Sequence, residues 1–386
     1  MATILTSLIP PLLSLFIIIL GAGLFNTFIS VRLELEGFNM QVIGAVISAL
    51  YIGILVGSLR IDRLISRIGH IKAFIAFASI STALVLLQSA WINPWYWAFL
   101  RFLGGICMAG IFIAIESWLL MLATPALRGG ILSIYLAVFY GALSLGQLLI
   151  NVADPFGLYP FFITAGLSAL SILPLLFKEI KTPKLQSTNP MSPSQCFKIS
   201  PLGFVGGVIS GMLLAILFGF LPVYASLIGM SVSQIGTLMA ILIFGGLSLQ
   251  WPIGRKADKG NRRLVLNAVS FVSTFFALII AMQDPIHPAL LLALAWIFGG
   301  FSFTLYPLSM AYVCEKIPED QIVAATGGFV LSYGIGAIAG PLLVPLPMQW
   351  LGAPGLFYFL AFMTLSLGCF GLYSTKTLKV PSKEQD

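Results

Sequence analysis

Two ionisable residues, Arg101 and Glu116, fall inside a single apolar run over about residues 95–122. A charge buried in a lipid-spanning segment costs several kcal/mol unless it meets water or a partner, so such residues are candidates for function. Arg101, Gly105, Met108, Phe112 and Glu116 follow at steps of four, three, four and four, and so share one helical face. The two charges are separated by about 22 Å of helix rise and cannot pair with each other. Glu116 is the one carboxylate well inside a run. Its burial cost disappears on protonation, which suits a group that loads and releases a proton as a cavity changes sides. The competing reading is a structural, hydrogen-bonded carboxyl near a helix end, beside Ser117 and Trp118. Arg101 serves equally well as a relay or as glue between helices.

Other polar groups lie in apolar runs. In the first half these are Asn26, Thr27, Tyr51, Tyr140 and Gln147; in the second, Tyr224, Gln250, Trp251, Tyr306 and Tyr333. Each needs a partner or a watery space. Singly they read as helix-to-helix hydrogen bonds. As a set they are expected to line a cavity of aromatic and amide character that binds a small solute. Multiply anionic solutes call for clustered Arg or Lys, and the runs contain only Arg101, so a neutral, zwitterionic or cationic amphipathic solute is expected.

Catalytic and metal chemistry find little support. His70 and His287 fall on opposite sides of the expected membrane, each without an acid or cysteine cluster. Cys107, Cys196, Cys314 and Cys369 have no paired spacing and read as small apolar filler. No G-x-x-x-x-G-K-(S/T) loop is present, which argues against an ATP-driven pump. No cofactor or metal is expected, and the chain does not read as an enzyme.

The elements that must position these groups follow from composition. Of 386 residues, 59% are hydrophobic and 9% charged, whereas soluble domains carry about 25% charge. A spanning helix needs about 20 apolar residues. Apolar runs occur at about 8–31, 40–59, 71–91, 95–122, 130–152 and 158–177, then at 202–228, 233–253, 264–283, 288–313, 321–344 and 351–373. All of the 20 Lys+Arg except Arg32 and Arg101 fall on one side of this path, which makes that side cytoplasmic, with both termini. The formal charge of +7 is thereby explained without a nucleic-acid partner. The N-terminal run lacks a basic start and a cleavage site, so it is expected to stay as the first helix.

Residues 178–200, with Pro183, Pro190, Pro193 and many Ser, Thr, Asn and Gln, have the composition of a flexible linker. The expected organisation is a bundle over 1–177, a cytoplasmic linker over 178–200, a second bundle over 201–373 and a tail over 374–386. The halves repeat: Phe102-Leu103-Gly104-Gly105 answers to Ile297-Phe298-Gly299-Gly300, and Gly146-Gln147-Leu148-Leu149 to Gly340-Pro341-Leu342-Leu343. Gly53-x-x-x-Gly57 and Gly207-x-x-x-Gly211 have the spacing that lets helix backbones approach.

Gly254-Arg255-Lys256-Ala257-Asp258-Lys259-Gly260-Asn261-Arg262-Arg263 resembles motif A of the major facilitator superfamily, matching at Gly254, Asp258, Lys259, Arg262 and Arg263. Asn261 stands where that motif has its second glycine. The counterpart in the first half is degenerate, with Asp62 at the glycine position, Ser66 at the aspartate position, and Arg67 and Gly69 matching. The resemblance implies that this loop closes the cytoplasmic side by ion pairs between the halves. Asp62, Arg63 and Arg67 are included in that gate, and simple positive-inside anchoring is the alternative. Arg101-Phe102-Leu103-Gly104-Gly105 resembles motif B, which implies a link between Arg101 and proton transfer. Gly336-Ala337-Ile338-Ala339-Gly340-Pro341 is similar to the core of an antiporter motif but lies in the eleventh run rather than the fifth, so helix bending is the expected role. Asn26-Thr27, Glu116-Ser117, Gln250-Trp251-Pro252-Ile253-Gly254-Arg255 and Leu305-Tyr306-Pro307 look most like the YcaD-like branch.

The expected fold is thus an all-α integral membrane protein with 12 transmembrane helices as two parallel six-helix bundles. The expected activity is secondary active transport by alternating access, probing a small-molecule substrate from either face of a bacterial inner membrane and coupled to protons. A facilitative uniporter and a non-transporting receptor on the same fold are the alternatives. The expected partners are substrate, protons and the lipid bilayer, and the expected state is a monomer.

Overall fold

A computed structural model describes residues 2–122, 128–152, 154–176, 191–283, 287–318 and 321–377. Helices take up most of them, and no strand occurs among the described residues. In the first half the order is α1 (Ala2–Leu35), α2 (Met40–Ser58), α3 (Ile61–Ile68), α4 (His70–Ala90), α5 (Pro94–Leu122), α6 (Arg128–Leu148), α7 (Tyr159–Leu170) and α8 (Leu173–Leu176). A short α9 (Pro193–Ile199) precedes α10 (Pro201–Leu227), α11 (Val232–Lys259), α12 (Arg262–Met282), α13 (Pro288–Cys314), α14 (Ile322–Leu343), α15 (Pro345–Leu351) and α16 (Gly355–Thr377). Among the described residues 12 helical stretches are long and apolar enough to cross a membrane. They form two six-helix bundles.

The boundaries differ from the expected runs for local reasons. The sixth run breaks into α7 and α8 at Ser171 and Ile172, just ahead of Pro174. The eleventh continues beyond 344 as α15, which Pro345 starts. The eighth runs on to Lys259, so most of the expected loop after it is the last turns of α11. Lys256 and Lys259 there complement the negative end of the helix dipole. Asn261 caps α12 by accepting from Arg263 N and Leu264 N, which gives the departure from the motif a structural use.

Pairing within each half shows the repeat directly. α2 packs on α5, α1 on α6 and α4 on α7; correspondingly α11 packs on α13, α10 on α14 and α12 on α16. Glycine permits the closest of these approaches. A Cβ on Gly53 would meet Phe102 O and one on Gly105 would meet Leu50 O; in the repeat, Gly245 faces Trp296 O and Gly299 faces Leu242 O. Gly336 and Gly340 likewise lie against Val208 and Met212 of α10, so this stretch serves close packing within the second half. Ile338 and Pro341 of the same stretch also meet α2 across the halves.

Part of the expected linker, together with Lys178, Lys181 and Lys184, lies outside the described residues, as do Lys379 and Lys383 of the tail. The described end of the linker is built into the second half. Ser192 and Gln195 form a capping box on α9. Cys196 is buried with Val313, Ala325 and Phe329, and Met191 N donates to Ala324 O at 2.8 Å. Burial, with Cys314 close by, raises the pKa of the Cys196 thiol.

Candidate functional site between the two halves

The halves meet mainly through α6 against α11, α2 against α14 and α1 against α10. The contacts concentrate on the side away from the basic loops. There Ser226 Oγ donates to Glu34 Oε2 at 2.5 Å, Ser48 Oγ to Ile338 O at 2.9 Å, and Ser144 Oγ to Ala240 O at 2.9 Å. Gly44 lies against Pro341 O and Gly236 against Gln147 O, approaches that only glycine allows. On the same side Arg32 pairs with Glu36 at 2.7 Å, donates to Pro155 O and lies over the Phe156 ring, tying the end of α1 to the loop before α7.

At mid-depth, rings from both halves form a continuous band. Phe112, Phe139 and Tyr140 come from the first half, and Phe303 and Phe218 from the second, with successive centroids 5.2–5.7 Å apart. Edge-to-face geometry dominates, the arrangement that aromatic quadrupoles favour. Tyr306 stacks edgewise on Tyr333 at 5.1 Å and also contacts Phe329. Tyr51, Tyr140 and Tyr306 lie near enough to Tyr333 for their hydroxyls to influence it electrostatically. Gln250 is four residues beyond Gly246, which abuts Phe303, and so continues this face of α11 toward the basic side.

Glu116 lies four residues beyond Phe112 on α5, toward the basic side. Although it lies within α5 it is exposed, and its charge is felt at Tyr135 of α6 and Tyr306 of α13. It therefore lies on the side of α5 that faces α6 and the second half. Asn26 and Arg101 are joined at the other end: Arg101 Nη2 donates to Asn26 Oδ1 at 2.8 Å. With Tyr51 they line a small space that Phe218 and Gly219 of the second half close.

Four of the expected cavity residues are placed elsewhere. Thr27 Oγ1 donates to Gln147 Oε1 at 2.5 Å with both residues buried, a bond between α1 and α6 that leaves neither facing solvent. Tyr224 packs edge-on to Phe357, which contacts Phe298, so it belongs to the core of the second half. Trp251 is 70% exposed and stacks with Arg255, on the outer face of α11 that also carries exposed Phe244 seven residues earlier. Helical phase separates Trp251 from Gln250 by about 100° and accounts for the opposite fates of these neighbours. Conversely, Tyr135, Phe139, Phe218 and Phe303 join the site without having been singled out. Tyr135 and Phe139 share a helical face with spacing four, a detectable signal; Phe218 and Phe303 are apolar residues in apolar runs and give none.

The expected gate residues sit at the basic side, and Asp258, Arg262 and Arg263 pair within the second half. Arg262 reaches Asp258 at 3.1 Å and Glu315 at 3.6 Å. Arg263 donates to Gly371 O and Ser374 Oγ at 2.6 and 3.0 Å. Lys259 is exposed, and an added Cβ at Gly254 would meet open space. In α3, Arg63 and Arg67 are exposed, and Asp62 Oδ1 is buried without a hydrogen-bond partner. Among the described residues no ion pair crosses between the halves on this side, in keeping with their separation there. The described residues also hold no cluster suited to a metal ion.

Comparison with known proteins agrees with this architecture. The family model for the Major Facilitator Superfamily matches residues 12–327 and 203–386. The uncharacterised MFS-type transporter YcaD of Salmonella arizonae is 34% identical over 340 residues, covering 88% of each chain. Among solved structures, the nucleoside transporter NupG superposes with a TM-score of 0.80 at 15% identity, covering 96% of this chain and 99% of its own. A D-xylose–proton symporter superposes with a TM-score of 0.75 at 14% identity, covering 95% and 97%. At such identities the solved structures speak for the fold alone.

Proposed function

The chain belongs to the major facilitator superfamily, and from that premise we propose that it is a secondary active transporter of a small solute, driven by protons, that works by alternating access. The basic side is taken as cytoplasmic, with both termini there and the chain in the inner membrane. The arrangement described is then inward-facing: sealed by the contacts around Glu34, Gly44 and Gly236, and open around Glu116. The observation that carries this reading is Glu116, exposed within α5 and close enough to Tyr306 of the other half for its charge to act there.

Tyr51, Tyr140, Tyr306, Tyr333 and Gln250 bind the solute in this scheme, and their chemistry favours a neutral, zwitterionic or cationic amphipathic molecule. Glu116 takes up a proton in one orientation and releases it in the other. Asp258, Arg262 and Glu315 exchange their present partners for groups of the first half, Arg63, Arg67 and Asp62 among them, when the basic side closes. The role is that of a carrier rather than an enzyme, and a monomer contains every residue the scheme needs. Proton coupling is named for the D-xylose symporter, and comes to this chain as part of the proposal.

Thermal unfolding of the purified protein against a mixed solute library at pH 5.5 and pH 8 tests the scheme. A ligand at about 100 times its dissociation constant stabilises the fold by roughly 2.7 kcal/mol. The expected result is a stabilising solute whose effect depends on pH in the parent and not in Glu116→Gln. A pH-independent solute effect in the parent would remove Glu116 from the scheme and leave facilitated diffusion.

A further inference from the structure

The first half contains a cavity of about 80 Å³, partly open to the outside and lined by α1, α2, α4, α5 and α7. It adjoins the small space at the interface between the halves, with which it shares Asn26 and Arg101. Its walls are mostly apolar, with Ile18, Phe25, Leu84 and Val85 among them. Three buried donors line it from three helices: Arg101 of α5, Gln88 of α4 and Thr164 of α7 are 6%, 2% and 3% exposed. Arg101 Nε, Gln88 Nε2 and Thr164 Oγ1 all lack a hydrogen-bond partner.

Electrostatics makes this arrangement selective. Arg101 carries a full positive charge, and its hydrogen-bonded partner Asn26 is a neutral amide. No carboxylate among the described residues lies within 4.0 Å of it. A buried cation and two buried polar groups without partners each carry a desolvation cost that an acceptor-rich anion would relieve. One guanidinium balances one negative charge, and the apolar walls suit a hydrocarbon body. A dianion such as phosphate would leave its second charge without a counter-ion in an apolar space.

We propose that this cavity binds a small organic monocarboxylate. The carboxylate accepts from Arg101 Nε, Gln88 Nε2 and Thr164 Oγ1, and its hydrocarbon part lies against Ile18, Phe25, Leu84 and Val85. Arg101 also lines the small space at the interface between halves, so an acid held here sits beside the space that Tyr51, Phe218 and Gly219 line.

The test is binding of benzoate and octanoate, each compared with its neutral amide, to the full chain in nanodiscs by titration calorimetry at pH 7. Each carboxylate that binds is expected to do so at least about tenfold more tightly than its amide. Preference for benzoate would assign a soluble acid, and preference for octanoate a lipid-derived one. Arg101→Gln is expected to erase the discrimination between acid and amide. Gly104→Leu provides an independent check, because Gly104 lines the cavity and an added Cβ there meets nothing within 4 Å. This variant is expected to melt like the parent and to lose at least about tenfold in carboxylate affinity. Equal affinity for acid and amide, absence of binding at millimolar concentration, or unchanged binding in a folded Gly104→Leu protein would overturn the proposal.

Discussion

Adjacent glycines of α5 should respond in opposite ways to the same substitution. A Cβ on Gly105 would run into Leu50 O and stand 2.8 Å from Ile54 N, whereas one on Gly104 meets nothing within 4 Å. The clash is with backbone, so it cannot be relieved by turning a side chain; α2 and α5 must move apart. Overpacking of this kind costs about 1–3 kcal/mol. Replacing glycine by alanine inside a helix returns roughly 0.5–1 kcal/mol at either position. That gain cancels in the comparison, so Gly104→Ala is expected to exceed Gly105→Ala in stability by about 1–3 kcal/mol, the clash alone. Both proteins can be purified in one detergent and unfolded chemically, with helical signal as the readout. Indistinguishable variants, or a less stable Gly104→Ala, would refute the close approach of these helices. Gly299→Ala, which meets Leu242 O as Gly105 meets Leu50 O, should behave like Gly105→Ala; the contacts set the repeat one residue away from the register of the two Gly-Gly pairs.

Other consequences can be measured separately. Thr27→Val should destabilise the protein by about 1–3 kcal/mol, because it leaves the buried Gln147 amide without its donor; Thr27→Val combined with Gln147→Leu should recover part of the loss. Ser226→Ala removes a hydrogen bond to the Glu34 carboxylate, worth on the order of 1 kcal/mol at this partly exposed site, and should raise the outer-open population about fivefold in single-molecule distance traces. Trp251→Ala should leave solute-dependent stabilisation unchanged while Tyr306→Ala abolishes it, since only the second lies near Glu116. Cys196 should resist iodoacetamide at pH 8 in native membranes and react after unfolding: burial shifts its ionisation upward, so the thiolate is scarcer there than in the unfolded chain.

Membrane architecture was legible because it rests on sums. Twenty consecutive apolar residues and a one-sided distribution of Lys and Arg survive errors of several residues at any boundary. The repeat was legible through its Gly-Gly pairs, because Gly105 and Gly299 stand at close helix crossings where glycine has no substitute, although pairing Gly104 with Gly299 sets the register one residue out. The site was legible only in part. Asn26 with Arg101, and Glu116 at an exposed position, follow from scarcity: few polar groups exist in the runs, and each must find a partner or an opening. Thr27, Gln147 and Tyr224 carry the same signal yet satisfy it in the packed interior, a distinction that depends on helical phase against neighbours rather than on residue type. Phe218 and Phe303 were invisible for the converse reason, being apolar among apolar residues. The motif A loop was recognised by resemblance, but the partners of Arg262 and Arg263 within the second half depend on tertiary packing that residue types alone do not specify.

Distances between the halves on both faces test the central proposal most directly. Spin labels at Ser66 and Lys256 report the basic side, and labels at Gln41 and Ser233 the opposite side, all at exposed positions and in a background with the 4 native cysteines replaced. Across pH 5.5 and 8, with and without a stabilising solute, the account predicts two populations for each pair, the basic-side distance shortening as the other lengthens. A single unchanging distance on both sides, or distances that lengthen together, would contradict alternating access in this protein.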